Sequence, residues 1–188
     1  MTSMVTFNQE DILRALIRLG ELASNAHHSV ELLITGGALM VLAYQSRLAT
    51  KDVDALILSP QAVLVRKWIQ QVAREQELPE DWLNDAVKPF LVTISPGPVV
   101  FQATGLTVKS PLPEQMLAMK LAAWRDEGDI LDAARILQEL DSSLSQAEVW
   151  ALCVPYLPKG TELKAQYALE DLWSVYRDNP VKSGGGQE

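Results

Sequence analysis

The 188 residues contain one cysteine, Cys153, so no disulfide can close within the chain. It stands in the apolar run VWALCVPYL, where a buried, unreactive thiol is expected. No apolar stretch approaches the ~18 residues of a membrane-spanning helix. With 48% apolar and 21% charged residues, the composition is that of a soluble protein with no membrane contact. Positive charge is scarce: 16 Lys and Arg face 24 Asp and Glu, a net charge of −8. That balance argues against a broad nucleic-acid-binding surface, which draws its affinity from clustered Lys and Arg. The basic residues are scattered, so any polynucleotide contact is expected to be local or supplied partly by a partner. The first residues, MTSMVTFNQEDILRAL, lack a basic stretch followed by an apolar leader, and the cytoplasm is the expected compartment.

Several chemistries lack their residues. His27 and His28 have no metal-ligand spacing to another His or Cys, and read as surface residues on a turn. No Walker loop, dinucleotide-binding glycine pattern or nucleophile elbow is present.

Hydrophobic periodicity predicts an α/β (α+β) chain with a helical C-terminal part. The expected division is an α/β core over 1–112, a helical part over 113–180 packed on it, and a flexible tail over 181–188. Asn8 is a candidate N-cap for an amphipathic helix reaching about Ser24. Strands are expected at 30–35 and 52–58, with a helix over 38–45 between them. A helix follows over 61–77. Strands are then expected at 91–94 and 99–108, split by a Pro96-Gly97-Pro98 turn. The later helices are expected from Glu114 to about Trp124, from Ile130 to Leu140 after a break near Gly128, from a Ser145/Glu148 capping box, and over about 160–177.

The chemistry concentrates between Thr35 and Asp54, TGGALMVLAYQSRLATKDVD. A strand runs into Gly36-Gly37, and fifteen residues beyond Gly37 begins Asp52-Val53-Asp54 on a second apolar strand. Alternate strand residues share a face, so Asp52 and Asp54 point together while Val53 faces the core. Paired carboxylates are hard ligands for divalent cations such as Mg²⁺ or Mn²⁺, the ions that serve attack on a nucleoside triphosphate. A Gly-Gly turn into a helix offers backbone N–H groups to phosphate with no Cβ in the way. The duller alternatives stay open: Asp52 caps a turn and Asp54 is solvated, and the glycines serve an ordinary strand-to-helix turn.

This order resembles the motif of the nucleotidyltransferase superfamily. RLATKDVDALI, carrying Arg47, Thr50, Asp52 and Asp54, is more narrowly similar to the minimal nucleotidyltransferases related to the AbiEii and MenT-type toxins, and to an associated group of uncharacterised proteins. PEDWLNDAVKPF at 79–90 and PEQMLAMKLAAWRDEGDILDAARIL at 113–137 extend the resemblance over roughly residues 30–140. It implies a nucleotidyltransferase-type fold, a small mixed β-sheet flanked by helices, and an enzyme that moves a nucleotidyl group from a nucleoside triphosphate (NTP) to a hydroxyl on RNA, protein or a small molecule. It also implies Mg²⁺ or Mn²⁺ on Asp52 and Asp54, and a toxin–antitoxin or phage-defence setting with an antitoxin partner.

For Lys120 the resemblance implies contact with the nucleotide phosphates; from its apolar surroundings, MLAMKLAAW, the expectation is a side chain snorkelling to water. Arg47 and Thr50 either fix the loop or reach the triphosphate. Trp82 is expected as a packing residue. Active members of the superfamily place a third carboxylate on a later strand, yet no Asp or Glu occurs from Phe90 to Leu112. Asp85, Asp129 or Asp132 supplies it, or it is absent. Asp129 and Asp132 share a helix face and also read as acidic residues complementing a helix start. The alternative function is a catalytically incomplete protein of this fold that binds a nucleotide or a protein partner.

Overall fold

The computed structural model describes residues 6–95 and 97–177. The chain is mixed α/β, with a mixed sheet flanked by helices. It divides between Leu112 and Pro113 into two compact units. The expected tail over 181–188 and Pro96 of the expected turn lie outside the described residues.

The first unit opens with β1 (Phe7–Asn8), which passes directly into α1 (Gln9–Asn25). Asn8 is the N-cap as expected. Its Oδ1 accepts the Asp11 N–H at 3.0 Å, and the Asp11 carboxylate accepts the Asn8 N–H at 3.2 Å, a reciprocal cap that fixes the helix start. Then come β2 (Val30–Ile34), α2 (Gly36–Leu42), β3 (Ala49–Thr50), β4 (Val53–Ser59), α3 (Ala62–Glu75), β5 (Leu83–Asn84), β6 (Val99–Ala103) and β7 (Leu106–Lys109). Five of the strands form one sheet in the order β5-β4-β2-β7-β6, and β1 pairs separately with β3. Within the sheet β2 runs antiparallel to β4 and parallel to β7. The edge strand β5 runs parallel to β4, and β6 antiparallel to β7. Four of the five β2 residues are buried, as befits a central strand. Helices α1 and α3 pack on each other, α1 also against β7 and α3 against β4.

Three expectations are corrected. Residues 91–94 form no strand: a 3₁₀ turn at Lys88–Phe90 precedes them, and Val92 and Ile94 are exposed, so their apolar alternation has no sheet to face. The single strand over 99–108 is a hairpin turning at Thr104-Gly105. Gly105 has φ of +68°, and a methyl group there would lie 2.3 Å from the Gly20 carbonyl of α1, so the turn needs glycine for conformation and for close approach. Helix α2 begins at Gly36 rather than near Ala38 and ends at Leu42, before Gln45 at φ of +52°.

The second unit is helical: α4 (Pro113–Ala123), α5 (Glu127–Leu137), α6 (Gln146–Cys153) and α7 (Glu162–Tyr176). Helix α4 contacts each of the other three and buries Met116, Leu117, Ala118 and Leu121. The Ser145/Glu148 capping box forms as expected. Helix α5 starts earlier than expected because Asp126 caps it, accepting the Asp129 N–H at 3.0 Å, and Gly128 is absorbed into its first turn. Cys153 is fully buried, and burial, with the nearby Glu114 charge, pushes its thiol up to about 12. It is the inert thiol anticipated.

Candidate functional site

Thr35 stands between β2 and α2, next to β4. Its N–H donates to the Asp54 carbonyl at 2.8 Å, which pins the start of α2 beside the acidic pair. Gly36 follows at φ of +59°, in the left-handed region that a Cβ disfavours. A methyl group on Gly36 would fall 2.6 Å from Asp54 Oδ2, and one on Gly37 would fall 2.4 Å from Thr50 Oγ1 and 3.9 Å from Arg47 Nη1. Neither glycine therefore tolerates even alanine without a shift. Their backbone meets the Asp54 carboxylate and the Thr50 hydroxyl, with the Arg47 guanidinium adjoining. As in any α-helix, the first N–H groups of α2 have no intrahelical acceptor, and Thr35 makes no side-chain cap bond to them.

Asp52 immediately precedes β4 and Asp54 is its second residue; both are half-buried, while Val53 and Ala55 are buried. The alternation is the one that places both carboxylates on one face. Strand β5 lies alongside, with Leu83 opposite Val53 and Asn84 opposite Asp54. The Asn84 amide Nδ2 lies 3.4 Å from Asp52 Oδ2. Hence five of the residues singled out from the motif, together with Asp52 through Asn84, converge at one end of the sheet: Gly36, Gly37, Arg47, Thr50 and Asp54. Asn84 escaped the sequence reading, which weighed its neighbour Asp85. A two-residue strand carries too little periodicity to show which of the two faces the pair.

The remaining candidates have other partners. Asp85 forms an ion pair with Arg66 at 2.8 Å, both side chains partly exposed. In the second unit, the Lys120 ammonium lies 3.0 Å from Asp129 Oδ1 and 2.7 Å from Asp132 Oδ2. Lys120 is 8% exposed, so the expected snorkelling to water does not occur: two buried carboxylates hold it inside. Burial opposes ionisation of Asp129, but hydrogen bonding from Arg125 and the Lys120 charge outweigh it and hold the carboxyl below its usual range. Asp129 does lie in the first turn of α5, as the helix-start reading had it, and pairs with Lys120 as well. Trp82 is 1% exposed with its indole N–H donating to the Ile69 carbonyl at 3.1 Å, a packing residue.

Among the described residues no group of three or more His, Cys, Asp or Glu side chains is disposed to hold a metal ion. Asp52 and Asp54 stand as a pair. The pair fits Mg²⁺, which keeps several waters and commonly takes only one or two protein carboxylates together with substrate phosphates. Among the described residues no helix is long and apolar enough to cross a membrane. Comparison with protein-family models, with curated proteins and with solved structures finds no match to this chain.

Proposed function

We propose that this protein is a metal-dependent nucleotidyltransferase, moving a nucleotidyl group from an NTP to a hydroxyl acceptor on RNA, protein or a small molecule. One observation carries the reading: the Gly36-Gly37 backbone abuts the Asp54 and Thr50 side chains, joining a phosphate-type turn to an acidic strand. A loop alone would need one glycine for its φ; here both lack room for a Cβ because polar side chains occupy that space.

Asp52 and Asp54 would hold Mg²⁺ or Mn²⁺, and the cation when bound supplies charge neutralisation for the phosphate oxygens. The N–H groups opening α2 orient the triphosphate, and Arg47 offsets its charge. Thr50 holds the turn against β3. Lys120 is left out of this reading, because its ammonium is bound by Asp129 and Asp132. The resemblance of RLATKDVDALI to toxin-type nucleotidyltransferases extends the proposal to a toxin–antitoxin or phage-defence role in the cytoplasm, with an antitoxin partner. The net charge of −8 favours an acceptor gripped locally over one spread across a broad surface.

A second reading keeps nucleotide binding and drops transfer. It draws on the pair of carboxylates having no third acidic companion among the described residues. Calorimetric titration with the four ribonucleoside triphosphates, with and without Mg²⁺, tests the shared premise: binding should require the metal and vanish in Asp52→Asn/Asp54→Asn. No binding of any triphosphate by the native chain would refute both readings. Release of pyrophosphate on adding candidate acceptors then separates the enzyme from the binding module.

A further inference from the structure

We propose that Asn84 is a positioning residue for Asp52: its amide N–H turns the Asp52 carboxylate toward the face shared with Asp54. The inference rests on the reading of that pair as a divalent-cation site, and goes beyond it by naming what fixes the pair's geometry.

The orientation of the Asn84 amide is not arbitrary. Its Oδ1 accepts the Ala86 N–H at 2.9 Å, so the nitrogen is the end turned toward Asp52. That nitrogen lies 3.4 Å from Asp52 Oδ2 and 3.4 Å from the Asp81 carbonyl, both at the long end of hydrogen bonding. The contact steers the carboxylate without gripping it.

The backbone around Asn84 is held more firmly. The Val53 N–H donates to the Trp82 carbonyl at 2.8 Å, between the two aspartates in sequence, and the Trp82 indole is tied to α3 through the Ile69 carbonyl. Leu83, opposite Val53, is buried, so this two-residue strand has one fixed register. Neighbours in register on parallel strands point the same way, which sets Asn84 on the face of Asp52 and Asp54.

A carboxylate that accepts an amide N–H on one oxygen keeps the other for a cation, and its rotation is restricted. Partners of this kind orient metal ligands, and losing one typically weakens metal binding by about 10–100-fold. The long Asn84–Asp52 contact points to the lower end. The Asn84 oxygen is turned to the Ala86 N–H and the nitrogen to Asp52, so what Asn84 presents to the pair is a donor, which orients a ligand rather than being one.

The test is a Mn²⁺ titration of the full chain, followed by the paramagnetic resonance of free Mn²⁺, with melting temperatures measured without metal. Native protein should bind, Asp52→Asn should not, and Asn84→Ala should bind about tenfold more weakly. Asn84→Gln, which keeps an amide donor, should recover part of the loss. Asn84→Leu, close in size and without a donor, makes the same test if the alanine variant does not fold. Native affinity in the donor-free variants while Asp52→Asn fails to bind overturns the positioning role alone. Absence of Mn²⁺ binding by the native chain overturns the cation-site reading beneath it.

Discussion

Asp129 and Asp132 lie three residues apart on α5, each no more than 2% exposed, with the Lys120 ammonium within 3.0 Å of both. Asp52 and Asp54 lie two apart at the start of β4, half-buried, and Asp52 meets the uncharged amide of Asn84. Each pair puts two carboxylates on one face of its element, by the helix period in one case and the strand period in the other. What differs is burial. Inside the helical unit a cation is built into the chain between two buried carboxylates, since burying carboxylates without a partner is costly. On the sheet the pair keeps access to water, and a glycine turn, rather than an apolar wall, faces Asp54. The difference teaches that spacing alone does not assign a role: the same acidic dyad is a structural ion cluster when buried with Lys120 and a candidate ligand site when half-open.

The comparison breaks most visibly at Lys120. Lys120→Met removes the ammonium that both buried carboxylates meet, and breaking buried pairs of this kind costs roughly 3–5 kcal/mol. Urea denaturation at neutral pH should show a loss of that order, and adding Asp129→Asn and Asp132→Asn should recover most of it. A Lys120→Met variant as stable as the native chain would show that the cluster is not structural. The cluster should also be acid-sensitive. The folded carboxyl of Asp129 is held below its usual range, so its contribution is present above the ordinary carboxylate pKa and is lost as pH falls through the lowered folded value. Stability measured from pH 6 downward should therefore fall less steeply in Asp129→Asn than in the native chain, although that variant starts lower.

Gly36→Ala is the next largest effect, and it touches the other pair. The left-handed backbone alone costs roughly 1–2 kcal/mol for a residue with a Cβ, and the new methyl group meets Asp54 Oδ2 besides. Calorimetric melting should show the loss, with metal-dependent NTP affinity falling beyond what the stability change explains. Unaltered affinity in a folded Gly36→Ala variant would confine the glycine to a packing role.

Much of this contrast was legible from residues alone, and the failures have physical causes. The Asn8 and Ser145 caps were readable because a cap is a local bond between residues three apart. The Asp52/Asp54 face was readable because the strand period is two. Lys120 was misread as snorkelling because its partners are contributed by the next helix, and a single helix's apolar stripe does not reveal them. Residues 91–94 were misread as a strand because alternation reports a pattern that is fit for a sheet, whereas pairing depends on a neighbouring edge. Asn84 was passed over because β5 is too short to show its facing.

The smallest expected effect serves as a control. Ser145→Ala removes the hydroxyl that accepts the Glu148 N–H at 3.3 Å. Loss of an N-cap costs about 1 kcal/mol. Urea denaturation should show that modest loss, with NTP binding unchanged; a fall in affinity would mean that stability changes alone perturb the candidate site and would blunt the contrast drawn from Gly36.

The most direct measurement is the melting temperature of the native chain and of Asp52→Asn/Asp54→Asn, each scanned calorimetrically with and without Mg²⁺ and each NTP. A ligand that binds only the folded state raises its melting temperature in proportion to its affinity and concentration. The predicted result is a metal-dependent rise with at least one NTP in the native chain and none in the variant, which still unfolds cooperatively without ligand. A native chain unmoved by every Mg²⁺–NTP combination, or a variant that responds as the native chain does, would contradict the assignment of Asp52 and Asp54.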